Sequence, residues 1–258
     1  MSKLFIMKNH FFFGYSGNKR CECDDLYNEI KDKLQNIKLI VEPFCGTAAF
    51  SYYISLKHPK QFKYILNDNS KHLMELYSVA RDEKELENLI KLLDAKIKDL
   101  NKEKYDIIAK EDTLVSWVIT HKIYSMRAGL FPTNKKIISS FNCLKDCPII
   151  NFLRSEDITF YNTDGVQIIN QYKDNKENFI FLDPPYLISC NSFYDDCKVN
   201  VYEYLYSNQI KEMKALLMIC LESNWIIKLL FNDHIKKEYF KLYQPSKKTT
   251  SHLIISNF

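Results

Sequence analysis

The chain has 258 residues, 46% of them hydrophobic and 26% charged, ordinary values for a soluble globular protein able to bury a core. Lys and Arg number 36 against 32 Asp and Glu, so the net charge of +4 permits a polyanionic partner without demanding one. No apolar run approaches the ~20 residues of a membrane span, and residues 1–13 lack the pattern of a signal peptide, so the eight cysteines are expected as reduced thiols in a reducing intracellular compartment.

Short β-like runs occur at 38–41, 63–66, 158–161, 179–182, 225–231 and 253–256, with helical stretches between several of them. That alternation predicts an α/β fold with a mainly parallel sheet. The segment KLIVEPFCGT at 38–47 reads as strand, tight loop and the start of a helix, a loop able to bring backbone N–H groups to a cofactor. It lacks a full GxGxxG, so alone it does not specify a nucleotide site. Over 86–100, Leu86, Ile90, Leu93, Ile97 and Leu100 recur at helical spacing. This predicts an amphipathic helix, packed on its own protein or docked to a partner. The region 70–157 carries no clear strand pattern and reads as a mostly helical insert. The core is then expected from 1–69 and 158–258.

The first four strand-like runs lead into an acid: Glu42, Asp68, Asp164 and Asp183. In open α/β sheets, ligands bind at the carboxyl ends of the strands. Asp68 lies 26 positions after Glu42, near the distance of ~20 residues at which an acid accepts hydrogen bonds from ribose hydroxyls; a helix N-cap or turn residue is the other reading. Of the five glycines, Gly14, Gly17, Gly46 and Gly165 flank the strand-end motifs or the opening FGYSGNK segment; each is either a turn residue or a point of close approach to a ligand. Cys21/Cys23 and Cys143/Cys147 match no common zinc spacing and read as core thiols, so no metal is expected.

The most informative segment is NFIFLDPPY at 178–186. An apolar strand there delivers a carboxylate, two prolines without N–H groups, and an aromatic ring. Such a set suits an exocyclic amine like adenine N6, whose lone pair is delocalised into its ring. A carboxylate and a backbone carbonyl, each accepting one N6 hydrogen, would localise that lone pair toward an electrophilic methyl. The aromatic offers a face on which a flipped base stacks.

DPPY after a strand, the EPFCG loop and the amino-terminal YSGNK, in that order, resemble the Dam-type DNA adenine N6-methyltransferases. The resemblance implies a Rossmann-like class I methyltransferase sheet with helices on both faces and a smaller, mostly helical inserted target-recognition region. It implies S-adenosylmethionine as cofactor, S-adenosylhomocysteine as product, and double-stranded DNA as partner. Residue by residue, Tyr15, Gly17 and Lys19 match cofactor contacts, and Glu42, Pro43, Phe44, Cys45 and Gly46 match the methionine-binding loop. Asp68 matches the acid that holds the ribose and Asp164 the acid that meets the cofactor's adenine. Asp183, Pro184, Pro185 and Tyr186 match the catalytic tetrad, Asp183 also bordering the cofactor.

The same resemblance places DNA contacts within 70–157. There the stretch HKIYSMRAGLFPTNKK at 121–136 mixes basic and aromatic residues, as a nucleic-acid surface or a solvated basic edge would. Arg127, Asn134, Lys135 and Lys136 are the expected contacts. The sequence departs from the family here, because Lys136 is followed by IISSFN with no glycine, so the recognition sequence does not carry over. Adenine in RNA or single strands, and a non-catalytic nucleic-acid-binding subunit, are the alternatives for this sequence.

Overall fold

The structure is a computed structural model that describes residues 10–14, 19–126, 131–186, 201–206, 210–243 and 248–258. In chain order it begins with helix α1 (Cys23–Ile30), strand β1 (Leu39–Glu42), α2 (Ala49–Lys57) and β2 (Lys63–Asn67). Six helices follow: α3 (Lys71–Arg81), α4 (Glu83–Ile97), α5 (Lys102–Ile108), α6 (Leu114–Met126), α7 (Asn134–Phe141) and α8 (Ile149–Ser155). Then come β3 (Asp157–Tyr161), α9 (Gly165–Tyr172), β4 (Asn178–Leu182), α10 (Val201–Tyr204) and α11 (Ile210–Glu212). The chain closes with β5 (Leu216–Glu222), α12 (Trp225–Phe231), β6 (Ile235–Tyr243) and β7 (Lys248–Ser256).

Two compact units result. The sheet unit comprises Asp24–Cys45, Gln61–Asn69 and Asp157–Phe258, and the helical unit comprises Met1–Cys23, Gly46–Lys60 and Ser70–Glu156. The sheet has seven strands in the order β3-β2-β1-β4-β5-β7-β6. Strands β1 to β5 pair in parallel, and β7 runs antiparallel to both β5 and β6. This is the α/β class expected, with the order reversing between β1 and β4.

Burial explains why the central strands were legible. All five residues of β4, NFIFL, are buried, as befits an interior parallel strand covered on both faces. The edge strand β3, DITFY, instead buries only Ile158, with Asp157 and Thr159 exposed and Phe160 and Tyr161 half-buried. One apolar cluster joins Val41, Ile180 and Ile219 of the strands to Ile169 of α9 and to Ile227 and Phe231 of α12. Each such side chain, fully buried, contributes about 1.5–3 kcal/mol.

One predicted strand is a helix. Residues 225–231 form α12, opened by Asn224, whose side chain accepts from the Ile227 N–H at 3.0 Å. Ile227 and Phe231 are buried while Trp225 and Leu229, also four apart, are exposed. Apolar residues on both faces hide the helical period and imitate a buried strand. The strand of this region is β5, which ends nine residues upstream of where it was expected to finish, and the unanticipated β6 follows α12.

The helical unit holds the predicted amphipathic helix as α4. Asp82 caps it, accepting from the N–H groups of Lys84 (2.8 Å) and Glu85 (3.0 Å), and Glu83 and Glu85 add negative charge to its positive end. Leu86, Leu89, Leu93 and Ile97 are its buried residues, so Leu89 takes the inward place expected of Ile90. Residues 10–13 are tied into the same unit: the Ile149 N–H donates to the His10 carbonyl (3.0 Å), and the buried Lys122 ammonium donates to the Phe12 carbonyl (2.6 Å). Burial lowers the pKa of Lys122. Among the described residues, no helix is long and apolar enough to cross a membrane.

Candidate active site

In the sheet unit, the acids singled out from the sequence all lie at the carboxyl ends of parallel strands. Glu42 is the last residue of β1, Asp68 follows β2, Asp164 lies three residues beyond β3, and Asp183 follows β4 directly. Because the strand order reverses between β1 and β4, the Glu42 loop and the Asp183–Tyr186 segment leave adjacent strands that then diverge. In doubly wound sheets this switch point opens the ligand crevice.

Glu42 is 2% exposed, a buried carboxylate at the end of a strand whose other residues are apolar. Pro43 and Cys45 are also buried, and Phe44 packs against the apolar cluster. Burial pushes the Cys45 thiol well above its ordinary value, and the nearby Asp68 and Glu42 carboxylates push it further. Cys45 therefore stays a neutral thiol in a negative field and is no nucleophile. Gly46 follows with φ 46°, a left-handed backbone that glycine adopts without steric cost, and Ala48 has φ 52° just before α2. The turn is thus tight on both sides of Thr47. Within the helical unit, the Tyr77 hydroxyl donates to the Gly46 carbonyl (2.5 Å).

The N-cap position of α3 is Ser70, two residues beyond Asp68. Asp164 is itself an N-cap: its carboxylate accepts from the Val166 N–H at 2.7 Å, opening α9. That leaves the carboxylate further acceptor capacity. Gly165, the first residue of α9, lies under Phe44. A Cβ there would come 2.4 Å from the tip of the Phe44 ring. Gly165→Ala is therefore expected to displace Phe44 and to destabilise the fold by about 1–3 kcal/mol, the usual cost of overpacking. Thermal denaturation checks this by a double-mutant cycle. In a Phe44→Ala background, the same substitution should become nearly neutral, and an undiminished cost there would refute the clash.

At the mouth of β4, Asp183 is partly exposed and Pro184 buried. The Tyr202 hydroxyl of α10 donates to the Pro185 carbonyl (3.0 Å), which pins the segment after the two prolines. The Tyr186 ring meets the buried His252 of β7 edge to face, with centroids 5.6 Å apart and planes at 71°. Tyr239 of β6 also stacks on His252 edge to face at 5.6 Å and approaches the Cys220 thiol at 3.2 Å. Nothing in the sequence signalled His252: it is a single histidine in the strand KTTSHLIIS, and its neighbour Tyr186 lies 66 positions away.

The remaining expected residues belong to the helical unit or lie outside the described residues. Tyr15, Gly17 and Arg127 lie outside the described residues. Lys19, in the helical unit, is 4% exposed, and its carbonyl accepts from the Glu22 N–H (2.8 Å) and the Cys23 thiol (3.3 Å). Asn134, Lys135 and Lys136 form the first turn of α7. The Asn134 amide donates to the carbonyl of Ile97 (3.1 Å), the last residue of α4, Lys135 is exposed, and the exposed Lys136 ammonium donates to the Met126 carbonyl (3.3 Å).

The sequence pattern of one family, the D12 class N6 adenine-specific DNA methyltransferases, matches residues 15–153, more than half of the chain. The chain belongs to that family. The matched stretch carries YSGNK, EPFCG and the Asp68 loop and ends before DPPY. No curated protein matches the chain by sequence. Similar solved structures include the rRNA methyltransferase aviRa from Streptomyces viridochromogenes, 12% identical over 95% of this chain and 89% of that one, with a TM-score of 0.40. They also include the N-terminal domain of human METTL16 in complex with SAH, 8% identical over 92% of this chain and 67% of that one, with a TM-score of 0.35.

Membership makes this D12-class chain an adenine N6 methyltransferase that draws on S-adenosylmethionine. The side chains at the strand ends fit that cofactor. Glu42, Asp68, Asp164 and Asp183 offer acceptors and negative charge, whereas the cofactor carries a sulfonium, an ammonium, two ribose hydroxyls and an exocyclic amine. Each of those groups is a cation or a donor, while the cofactor's carboxylate calls for N–H donors and not for these acids.

Proposed function

We propose that the chain methylates N6 of an adenine flipped out of double-stranded DNA. The observation that carries this reading is the adjacency of β1 and β4 at the sheet's switch point, which sets the Glu42 loop beside the Asp183–Tyr186 segment. The family's description, which names DNA, supports the choice of polymer.

When bound, S-adenosylmethionine supplies an electrophilic methyl carbon. Glu42 and the loop to Gly46 hold the methionine end, Asp68 accepts from the ribose hydroxyls and Asp164 from the adenine amine. Tyr15, Gly17 and Lys19 are proposed as further cofactor contacts. Asp183 and the Pro184 carbonyl each accept one hydrogen of the target N6, which localises its lone pair toward the methyl. N6 would gain the methyl as the methyl–sulfur bond breaks, leaving S-adenosylhomocysteine, and would give up one proton, which Asp183 would take. Tyr186, braced by His252, stacks on the extruded base. The two prolines bring no N–H that would compete with the N6 hydrogens for the acceptors.

Residues 70–157 serve in this reading as the target-recognition region, with Arg127, Asn134, Lys135 and Lys136 toward the DNA. Replacing Lys135 and Lys136 together by alanine should lower the slope of log affinity against log salt by about 1.8, two phosphates' worth of released counterions. Titrations of a fixed duplex at several salt concentrations measure that slope, and an unchanged value would place the phosphate contacts elsewhere.

The test of the function is transfer of labelled methyl from S-adenosylmethionine to unmethylated DNA and, in parallel, to RNA, with the product nucleosides identified by mass spectrometry. N6-methyladenine in DNA is the expected product. Label in RNA alone would keep the chemistry and overturn the polymer. The absence of label from both, with cofactor still bound, would overturn catalysis by this chain alone.

A further inference from the structure

We propose that Asn67 is a positioning residue that locks the loops after β1, β2 and β3 into one acceptor surface for the methyl donor. The inference rests on the reading that these loops hold S-adenosylmethionine. Asn67 ends β2 and is fully buried. Its amide nitrogen donates to the Pro43 carbonyl (2.8 Å) and to the Thr163 carbonyl (3.0 Å), and its amide oxygen accepts from the Thr163 N–H (3.0 Å). Its backbone carbonyl accepts from the Cys45 N–H (2.8 Å). Both amide hydrogens are thereby used, one on each neighbouring loop.

The partners of Asn67 are chain neighbours of the acids. Pro43 follows Glu42, Asp68 follows Asn67, and Thr163 precedes Asp164, which is fixed in turn as the cap of α9. A second strap runs from the Asn162 amide to the Asp68 carbonyl (2.8 Å). The parallel pairing of β1, β2 and β3 ends at Glu42, Asn67 and Tyr161, so beyond the strands the side chain of Asn67 takes over the work of the ladder. Only an amide fits this place. It presents two donors to two carbonyls and one acceptor to an N–H, a pattern that neither leucine nor aspartate of the same size reproduces.

The isosteric change Asn67→Asp makes the role measurable. As a carboxylate, the new side chain would face the Pro43 and Thr163 carbonyls with oxygen and lose both donor bonds. As a carboxylic acid, it regains one donor while still accepting from Thr163. Burial favours the acid form and raises its pKa. The neutral form is the one competent to bind, so affinity is recovered as pH falls through that raised pKa and lost as pH rises above it.

The probe is S-adenosylhomocysteine, titrated calorimetrically into wild type and Asn67→Asp from pH 5 to pH 8. Asn67→Asp should bind about 10- to 100-fold more weakly than wild type at pH 8, with the ratio closing toward pH 5. Turnover at saturating cofactor should stay within about threefold of wild type, since cofactor binding and not the chemical step is altered. Asn67→Ser keeps one hydroxyl donor and adds no charge. It should weaken binding without any pH dependence, and it provides the test should Asn67→Asp fail to fold.

Equal affinities of wild type and both variants at every pH would overturn the proposal. So would a parallel loss of turnover, affinity and thermal stability with no pH dependence, the mark of a structural role only. If wild type itself does not bind S-adenosylhomocysteine, the reading of the loops as the cofactor site falls instead.

Discussion

Asp183→Ala should reduce the rate of methyl transfer by at least about 10²–10³-fold and leave the affinity for S-adenosylhomocysteine within a few-fold of wild type. The magnitude is that of removing one preorganised hydrogen-bonding group from the site of charge development. N6 becomes positive as its lone pair forms the new bond, so the carboxylate interacts more strongly with the transition state than with the ground state. Only such an interaction raises kcat. The rigidity of the segment supports the size of the effect: Asp183 emerges directly from the fully buried β4, two prolines follow it, and Tyr202 pins the Pro185 carbonyl. Asp183→Asn is the sharper companion. It keeps one acceptor oxygen but cannot take the proton that N6 loses, so it should remain severely impaired. Single-turnover measurement with both substrates bound reads the effect. Retained turnover in Asp183→Ala would end the proposed chemistry even if DNA methylation by the wild type were confirmed.

Strands β1, β2 and β4 were legible because each is a short apolar run that ends on an acid or is followed directly by one. That is what a parallel interior strand with a functional loop must look like: covered on both faces along its length, polar at its carboxyl end. The helical stretch between β2 and β3 was legible from the absence of strand pattern and from the capped, periodic α4. Residues 215–231 were not. There β5 and α12 run together as one apolar tract with only Glu222, Ser223 and Asn224 between them, and the cap at Asn224 that separates strand from helix looks like any loop asparagine. At the site, sequence picked out the groups that carry charge and missed those that hold them. Asn67 sits in LND, beside an acid that drew attention, while its partners lie 24 and 96 residues away. His252 poses the same difficulty behind Tyr186. A residue whose role is to connect distant loops carries no local pattern, because its meaning lies in which carbonyls the fold brings within 3 Å.

Asp68→Ala should have the opposite kinetic character to Asp183→Ala: cofactor affinity falls about 10- to 100-fold and kcat at saturating cofactor and DNA changes little. Hydrogen bonds to a charged acceptor contribute about 1.5–3 kcal/mol, which converts to roughly that range of affinity. The ribose does not change between ground state and transition state, so its partner contributes equally to both and shows in binding alone. The local field sharpens the expectation. Asp68 and Glu42 both push up the buried Cys45 thiol, so each adds to the negative potential around that residue. Removing Asp68 therefore also weakens the attraction for the cofactor's positive end, and the loss should exceed that for Asp68→Asn, which removes the charge and keeps an acceptor. S-adenosylhomocysteine lacks the sulfonium charge, so its binding should suffer less than that of S-adenosylmethionine in both variants, and the difference between the two ligands isolates the field from the hydrogen bonds. Equal losses for both ligands would assign Asp68 to the ribose alone. An unchanged dissociation constant for both would remove it from the cofactor site.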